Sequence, residues 1–159
     1  MTGLFSGRFD PPHAGHLLTI ADLMIKYDKL YVPILSYKGR EACTAKESAA
    51  IMNGFFDRVM SPMLRKKLVI FVNKHHFGKI TRKQLQNYPK FDVYLGGNKQ
   101  VLLHVKRLGH TCRRVPRIPA DVRRHVKVDL DRMYSGTEVR RILRERGATL
   151  SDHYGLKLS

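Results

Sequence analysis

Short apolar runs alternate with segments of helical periodicity over most of this 159-residue chain, and that alternation limits the possible folds more than any other feature. The runs that predict strands are Leu4-Phe5, Leu30 to Leu35, Leu68 to Val72, Phe91 to Leu95 and Thr111 to Val115. Consecutive strands joined by helices normally lie parallel, with right-handed crossovers and helices on both faces of the sheet. We therefore predict an α/β fold with three layers, α/β/α, around a doubly wound parallel sheet.

Spacing and capping residues predict the helices between these strands. Helices are expected from Leu17 to Met24, over 45–59, from Val101 to Leu108 and over 136–146. Thr44 and Glu47 have the spacing of a capping box, which predicts the start of the second helix at Ala45. Gly109 predicts the end of the third.

Two of the strands carry a signal about their place in the sheet. Pro33 lies inside the second strand, and because proline has no N–H to donate, it favours an edge position or a bulge. Leu68 to Val72 is a continuous apolar run, which predicts a strand that is buried on both faces.

The chain length predicts a single domain, which we place at residues 1–150, with a short tail at 151–159. Cys43 and Cys112 lie far apart with no metal-ligand spacing around them, which favours reduced thiols and no metal bound by protein ligands. There is no signal-peptide pattern and no run of about 18 apolar residues. We expect a cytoplasmic protein that does not cross a membrane.

The chain is strongly basic, with 30 Lys and Arg against 13 Asp and Glu and a formal net charge of +17. Such a charge attracts polyanions, so nucleic acid is a possible partner. The aromatic residues are not interleaved with the basic runs as base stacking requires, and no nucleic-acid-binding motif is recognisable. We therefore favour phosphate-bearing small substrates, and part of the basic excess stays unexplained.

The segment from Gly7 to His16, GRFDPPHAGH, has the features of a phosphate-binding turn. Pro11-Pro12 cannot continue a strand and allows a helix to begin at His13 to His16. Because residues three apart share a helix face, His13 and His16 can contact one anion near the positive end of the helix. Gly15 lets that anion approach the main chain. The alternative is a loop with two solvated histidines.

A second anion-binding segment opens the last predicted helix at Tyr134 to Arg140, YSGTEVR. Ser135 is a predicted N-cap and Glu138 lies at the capping-box position. The opposite helix face carries Thr137, Arg140, Arg141 and Arg144. A hydroxyl, main-chain amides and guanidinium groups can thus meet one anion. The alternative is an ordinary capped helix with a solvated arginine face.

Together these segments resemble the HxGH and SxTxxR motifs of the nucleotidylyltransferase superfamily. Within it, the chain is similar to the archaeal-type nicotinamide-mononucleotide (NMN) adenylyltransferases through GRFDPPHAGH, Thr44 to Glu47, Phe91 to Asn98 and YSGTEVRR. The similarity extends from residue 3 to about residue 146. It implies a Rossmann-like fold of the adenine nucleotide alpha hydrolase-like type.

The resemblance implies that the phosphate of NMN attacks the α-phosphorus of ATP, giving NAD and pyrophosphate. It assigns catalysis to His16, His13 and Arg140. The ATP-binding residues that it implies are Gly7, Arg8, Phe9, His13, His16, Gly97, Asn98, Tyr134, Ser135, Gly136, Thr137 and Arg140. Mg²⁺ is expected to be held mainly by substrate phosphates, with Asp10 reaching it through water. A homo-oligomer is also expected.

The chain departs from the archaeal-type pattern at two places. Ser48 follows Thr44 to Glu47 where an arginine is usual, and Lys46 or Arg40 is a candidate to replace it. The chain also has no tryptophan to stack on nicotinamide. The candidates to replace that tryptophan are Phe77, His76 and Tyr37. The acceptor therefore stays open between NMN and phosphopantetheine, a sugar phosphate or an alcohol phosphate, with ATP or CTP as donor. A basic nucleic-acid-associated protein that retains a nucleotide pocket is a further alternative.

Overall fold

The computed structural model of the chain describes residues 1–116 together with Thr137, Arg140 and Arg141. Its strands are β1 (Thr2–Phe5), β2 (Lys29–Leu35), β3 (Leu68–Asn73), β4 (Val93–Gly96) and β5 (Thr111–Arg114). Its helices are α1 (Ala14–Lys26), α2 (Ala45–Val59), α3 (Pro62–Arg65), α4 (Arg82–Leu85) and α5 (Lys99–Arg107). All neighbouring strands are parallel, in the order β3-β2-β1-β4-β5. The chain builds outward from β1 to β3 and returns to the other side of β1, which confirms the doubly wound sheet.

Successive residues of β1 and β4 face two separate hydrophobic cores, because strand side chains alternate between the two faces of a sheet. Phe5 and Leu95 pack in a core with side chains of α1 and α2. Leu4 and Tyr94 pack in a second core with side chains of α4 and α5. Helices therefore cover both faces of the sheet, and the predicted three-layer, Rossmann-like α/β/α architecture is confirmed.

The prediction that Pro33 marks an edge or a bulge is wrong. β2 lies between β1 and β3, and its register with β3 is unbroken from Leu30 to Leu35. The carbonyl of Pro33 accepts a hydrogen bond from Gly7 N on the β1 side. Because a residue's N–H and C=O point to the same side of a strand, the missing N–H of Pro33 faces β1 at its last residue, Phe5. The proline therefore costs at most one hydrogen bond at the end of β1, and the pairing of β2 with β3 is intact.

The prediction that residues 68–72 form a strand buried on both faces is also wrong. β3 is an edge strand of the sheet, and Val69, Ile70 and Phe71 are only half-buried. Val72 is 40% exposed. The apolar run thus forms an edge strand, which pairs with β2 on one side and has no strand on the other.

The predicted caps at Thr44 and Gly109 are confirmed, and Asn98 is an N-cap of α5 that the sequence patterns did not predict. Thr44 and Glu47 form a reciprocal capping box at the start of α2. Asn98 caps α5, and Gly109 follows that helix with a φ of +98°, in the left-handed region that glycine tolerates. Thr137, Arg140 and Arg141 are helical, and the rest of the helix expected over 136–146 lies outside the described residues.

No helix in the described part of the chain is both long and apolar enough to cross a membrane. The boundary between a domain at 1–150 and a tail at 151–159 falls outside the described residues and stays a prediction.

Candidate active site

Two cavities lie side by side at the carboxyl ends of the strands, where doubly wound sheets bind ligands. The anion cavity has a volume of about 260 Å³ and lies between the β1–α1 segment, Tyr37, Thr137 and Arg140. The β3 cavity has a volume of about 340 Å³ and lies over the ends of β1, β2, β3 and β4. Arg8 lines both cavities, so its guanidinium stands where ligands in the two cavities would meet.

His13 and His16 form a reciprocal cap at the start of α1. Nδ1 of His13 accepts a hydrogen bond from Gly15 N at 3.1 Å, and Nδ1 of His16 accepts one from His13 N at 3.3 Å. The two rings stack with centroids 3.7 Å apart. Because Nδ1 accepts in each ring, the neutral ring carries its proton on Nε2. The cap thus fixes which atom of each histidine can donate to a ligand.

The ring of Phe9 packs against this histidine pair through His16. Its backbone has a φ of +46°, which turns the chain sharply between β1 and α1 and buries the ring. The ring contacts His16 edge-on with centroids 4.8 Å apart. It also covers Gly7, where an added Cβ would lie 2.7 Å from Phe9 Cζ. Gly7 and Phe9 therefore shape the turn through contact with each other.

Asp10 ties the β1–α1 turn to the loop that follows β2. Its Oδ1 accepts from Ala42 N and Cys43 N, and its Oδ2 accepts from Glu41 N and the Tyr37 hydroxyl, at 2.8–3.2 Å. Burial opposes ionisation of this carboxyl, but the three backbone donors and the nearby Arg40 together hold its pKa below the usual value. Four donors fill the four acceptor directions of the carboxylate. The expectation that Asp10 reaches magnesium through water is therefore not supported.

Arg40 makes the densest set of hydrogen bonds in the site. Its guanidinium donates to the carbonyl oxygens of Arg8, Phe9, Leu35 and Cys43 and to Ser48 Oγ, all at 2.6–2.9 Å. Arg40 thus brings a guanidinium to the position of Ser48, whereas Lys46 is exposed. The charge lies against the main chain of Arg8 and Phe9, so it holds the turn that carries the histidines.

Tyr37 lies between two arginines in the anion cavity. The guanidinium carbons of Arg8 and Arg40 lie 5.5 and 5.6 Å from the centre of its ring, within the range of cation–π attraction. Burial, and then the neighbouring Asp10, raise the pKa of Tyr37, so the phenol stays neutral at physiological pH. The ring therefore helps to place Arg8 at the junction of the cavities.

Arg140 joins the two sequence motifs. Its Nη1 donates to the main-chain oxygen of Asp10, and its Nη2 donates to Thr137 Oγ1 at 3.3 Å. Its Nε forms an ion pair with Glu41 at 3.2 Å. The guanidinium thus lies in the same cavity as His13 and His16, although more than 110 residues lie between the two motifs.

Aromatic side chains form the floor of the β3 cavity. Phe77 is 3% exposed and stacks on Tyr94 with centroids 5.3 Å apart. Burial raises the pKa of Tyr94 to about 12, and its hydroxyl pairs with Ser6 Oγ. Burial, followed by the positive charges of Arg8 and Lys79, lowers the pKa of His76. Besides the cationic Arg8, the cavity therefore presents aromatic rings and uncharged polar side chains such as those of Ser6 and Asn73.

The predicted site residues divide between the two cavities. The anion cavity is lined by Arg8, Phe9, His13, His16, Thr137 and Arg140. The β3 cavity is lined by Gly7, Gly97 and Asn98, together with Phe77 and His76, whereas Tyr37 lies in the anion cavity. Oδ1 of Asn98 accepts from the first amides of α5. Tyr134, Ser135 and Gly136 lie outside the described residues.

Sequence reasoning missed three contributions to the site. Glu41 pairs with Arg140, Ser6 pairs with Tyr94, and Asn73 lines the β3 cavity. Only Asn73 had a usable signal, because it is a polar residue directly after a strand run, at the carboxyl end of β3.

Two crystal structures from Francisella tularensis share this fold. Both are of a bifunctional NMN adenylyltransferase/ADP ribose pyrophosphatase, and one is complexed with AMP and a manganese ion. Each has a TM-score of 0.63, with 17% and 16% identity over 95% of this chain. This chain spans 44% and 43% of theirs, less than half of their length. No family model matches the chain.

The chain combines this fold with a histidine pair at the start of α1 and with Thr137 and Arg140 beside that pair, and in these features it is similar to the nucleotidylyltransferases. Its curated relatives include the nicotinamide-nucleotide adenylyltransferase of Sulfurisphaera tokodaii, 29% identical over 96% of this chain and 84% of that protein. Nicotinamide-nucleotide adenylyltransferase 1 of Sulfolobus acidocaldarius is 29% identical over 91% of this chain and 79% of that protein. The nicotinamide-nucleotide adenylyltransferase of Pyrobaculum arsenaticum is 24% identical over 89% of this chain and 75% of that protein. The chain is thus similar, over most of its length, to archaeal proteins named nicotinamide-nucleotide adenylyltransferase.

Proposed function

We propose that this protein transfers the AMP moiety of ATP to NMN, forming NAD and pyrophosphate. The observation that carries the proposal is the position of Arg8 between a cationic cavity and a cavity floored by aromatic rings. A triphosphate suits the first cavity, and the nicotinamide nucleoside suits the second. Their reacting phosphates would then meet at Arg8. The relatives named nicotinamide-nucleotide adenylyltransferase, matched over most of their length, support the same reaction.

The chemistry needs positioning and charge stabilisation rather than a protein nucleophile. An oxygen of the NMN phosphate attacks the α-phosphorus of ATP in line and forms the new P–O bond. The bond from the α-phosphorus to the bridging oxygen breaks, and pyrophosphate leaves with the electron pair. Negative charge grows on the α-phosphate oxygens and on the leaving group. Donors that already point at those positions lower the barrier.

The residues of the anion cavity supply such donors. We assign His16 and His13 to the triphosphate through their Nε2 atoms, with His16 next to the α-phosphate. Arg8 and Arg140 steady the β- and γ-phosphates, and the main-chain amides of residues 135–137 add further donors. The ion pair between Arg140 and Glu41 keeps that guanidinium at the cavity before ATP arrives. Gly97 and Asn98, which the resemblance implies as ATP-binding residues, line the β3 cavity, so in this proposal they border the nicotinamide nucleoside instead.

A divalent cation, Mg²⁺ in our proposal, would be held mainly by the phosphates of ATP. The described residues contain no group of three His, Cys, Asp or Glu side chains that could hold a metal ion, and the oxygens of Asp10 are occupied. This donor set fits a cation that enters with its substrate. When bound, the cation neutralises charge on the leaving pyrophosphate.

We further propose that the protein works in the cytoplasm as a homo-oligomer, without nucleic acid as a required partner. Two free thiols, Cys43 and Cys112, agree with a reducing compartment. The resemblance to the archaeal-type enzymes supports an oligomer.

The test is pyrophosphate release with ATP or CTP and one phosphate acceptor at a time. The acceptors are NMN, phosphopantetheine, a sugar phosphate and an alcohol phosphate. We expect turnover with ATP and NMN. Turnover with another acceptor, together with none for NMN, would keep the transferase chemistry and overturn the assigned acceptor. No release with any pair would overturn the transferase assignment itself.

A further inference from the structure

The imidazole of His76 lines the β3 cavity and has its proton fixed on one nitrogen. His76 follows β3, and its Nδ1 accepts a hydrogen bond from Gly78 N at 3.0 Å. Because Nδ1 accepts, the neutral ring carries its proton on Nε2. None of the described residues forms a hydrogen bond with Nε2, and this atom is not among their buried unpaired atoms, so solvent reaches it. His76 therefore has a donor that is accessible to a ligand.

The turn after His76 holds the ring in this orientation. The main-chain oxygen of His76 accepts from Lys79 N at 2.9 Å, which closes a turn over residues 76–79. At Gly78 an added Cβ would lie 2.9 Å from Cε1 and from Nδ1 of the ring, closer than side chains pack. Gly78 thus leaves room for the ring, and its N–H orients it. Because the donor is already oriented, a ligand loses little free energy in ordering it.

The charges around His76 suit an anionic ligand. Burial, followed by the positive charges of Arg8 and Lys79, lowers the pKa of His76, so the ring is neutral at physiological pH and keeps Nδ1 as an acceptor. Arg8 also lines the β3 cavity, at its junction with the anion cavity. Because the charge of Arg8 acts on His76, the two side chains lie at the same end of the cavity. An N–H next to a guanidinium favours an ionised oxygen, since hydrogen bonds to charged acceptors are the stronger ones.

We infer that Nε2–H of His76 donates a hydrogen bond to the phosphate of the acceptor, beside Arg8, and so orients that phosphate for its attack on ATP. The inference rests on the proposed function. It gives His76 a contact with the acceptor, whereas His13, His16 and Arg140 are assigned to ATP. It also differs from stacking on the nicotinamide ring, the role for which the sequence makes His76 a candidate.

Ligands with and without the phosphate test the inference. NMN carries the acceptor phosphate, and nicotinamide riboside has the same ring and sugar without it, so it can bind but not react. In His76→Ala we expect KM for NMN to rise about 10- to 100-fold, the range for a lost hydrogen bond to a charged group, with little change in KM for ATP. The inhibition constant of nicotinamide riboside against NMN should stay nearly the same. An unchanged KM for NMN would overturn the inference.

Two further replacements of His76 distinguish a donor from a stacking ring. His76→Gln brings an amide N–H near the position of Nε2 and should recover part of the affinity for NMN, whereas His76→Phe keeps a flat ring and should not. Lys74→Ala changes an exposed side chain of the same segment and is the matched control. Recovery in His76→Phe but not in His76→Gln, with an equal loss of affinity for nicotinamide riboside in His76→Ala, would overturn the inference in favour of stacking.

A measurement on the wild-type protein keeps the test independent of how the variants fold. With ¹⁵N-labelled histidine, the assigned NMR signal of the His76 Nε2 proton should move when NMN is added and stay in place with nicotinamide riboside. Equal movement with both ligands, or none with either, would overturn the inference while the proposed function stands. Absence of NAD formation by the wild-type protein would overturn the proposed function itself.

Discussion

Asp10 and Arg40 shape the active site through hydrogen bonds to the main chain, and we assign neither of them a contact with the reacting phosphates. Asp10 gathers three backbone N–H groups of residues 41–43, and Arg40 gathers the carbonyl oxygens of the turn before His13. The sequence predicts the histidine pair and Arg140, because their spacing is local and typical of anion binding. It does not predict the roles of Asp10 and Arg40, because their partners are about 30 residues away and depend on how the loop after β2 folds back.

Asp10→Asn tests the first of these roles through pH. An amide places N–H groups against backbone N–H groups, so we expect it to lower the free energy of unfolding at neutral pH by about 1–3 kcal/mol. The pKa of Asp10 is lowered in the folded state, so its contribution is present above its unfolded pKa, near 3.8, and is lost as pH falls through the folded value. The gap between wild type and variant in urea unfolding should therefore narrow below about pH 4.

Asp22→Asn is the matched control, because Asp22 pairs with Lys26 on the surface of α1. It should change stability by less than about 0.5 kcal/mol. If the difference in unfolding free energy between wild type and Asp10→Asn stayed constant below about pH 4, it would contradict the claim that the ionised Asp10 carboxylate stabilises the fold.

At the scale of elements, sequence patterns predicted the five strands and the longer helices α1, α2 and α5, but not the short helix α3 or the position of each strand in the sheet. Pro33 lies in an interior strand because its missing N–H faces the end of β1, and β3 is an edge strand despite its apolar run. Both outcomes depend on strand order and relative length, which no local pattern contains. The N-cap of α2 and the glycine after α5 were predictable because capping is a local interaction.

Arg40 links the loop after β2 to the turn between β1 and α1, so we expect a change at Arg40 to affect both stability and activity. Arg40→Ala removes one donor from each of four carbonyl oxygens, of which only that of Phe9 keeps another, the Ser48 hydroxyl, so we expect a loss of about 2–3 kcal/mol in denaturant unfolding and a fall in kcat as the histidine turn loosens. Arg40→Lys should recover part of each loss, because it restores the charge but not the planar fork. Lys38→Ala changes an exposed side chain of the same loop and is the control.

Equal unfolding midpoints for wild type and Arg40→Ala would contradict this coupling. A loss in Lys38→Ala of the same size as in Arg40→Ala would show instead that the loop is sensitive to any change of charge.

At the scale of the whole molecule, the charge of +17 acts on substrates that are themselves anionic. Both proposed substrates carry phosphates, and a basic surface raises their rate of encounter with the site. We expect kcat/KM for ATP to fall several-fold between about 0.01 M and 1 M salt, with a much smaller change in kcat, because screening acts on encounter rather than on bound groups. Potassium chloride and potassium acetate should give the same profile.

An unchanged kcat/KM over that range would contradict electrostatic steering. Binding to unrelated DNA duplexes that weakens steeply with salt, in a protein without turnover, would favour the nucleic-acid alternative instead.

The central claim is that His16 acts on the transferring phosphate of a reaction that makes NAD. The direct measurement is the rate of NAD formation from ATP and NMN by wild type, His16→Ala and His110→Ala, with pyrophosphate followed in parallel. His110 is the control, because its ring stacks on Phe91 at the opposite end of the sheet. We predict one NAD for each pyrophosphate, a rate about 10²–10³ lower in His16→Ala, and a nearly unchanged rate in His110→Ala. Equal rates in His16→Ala and wild type, or no NAD from the wild-type protein, would contradict the claim.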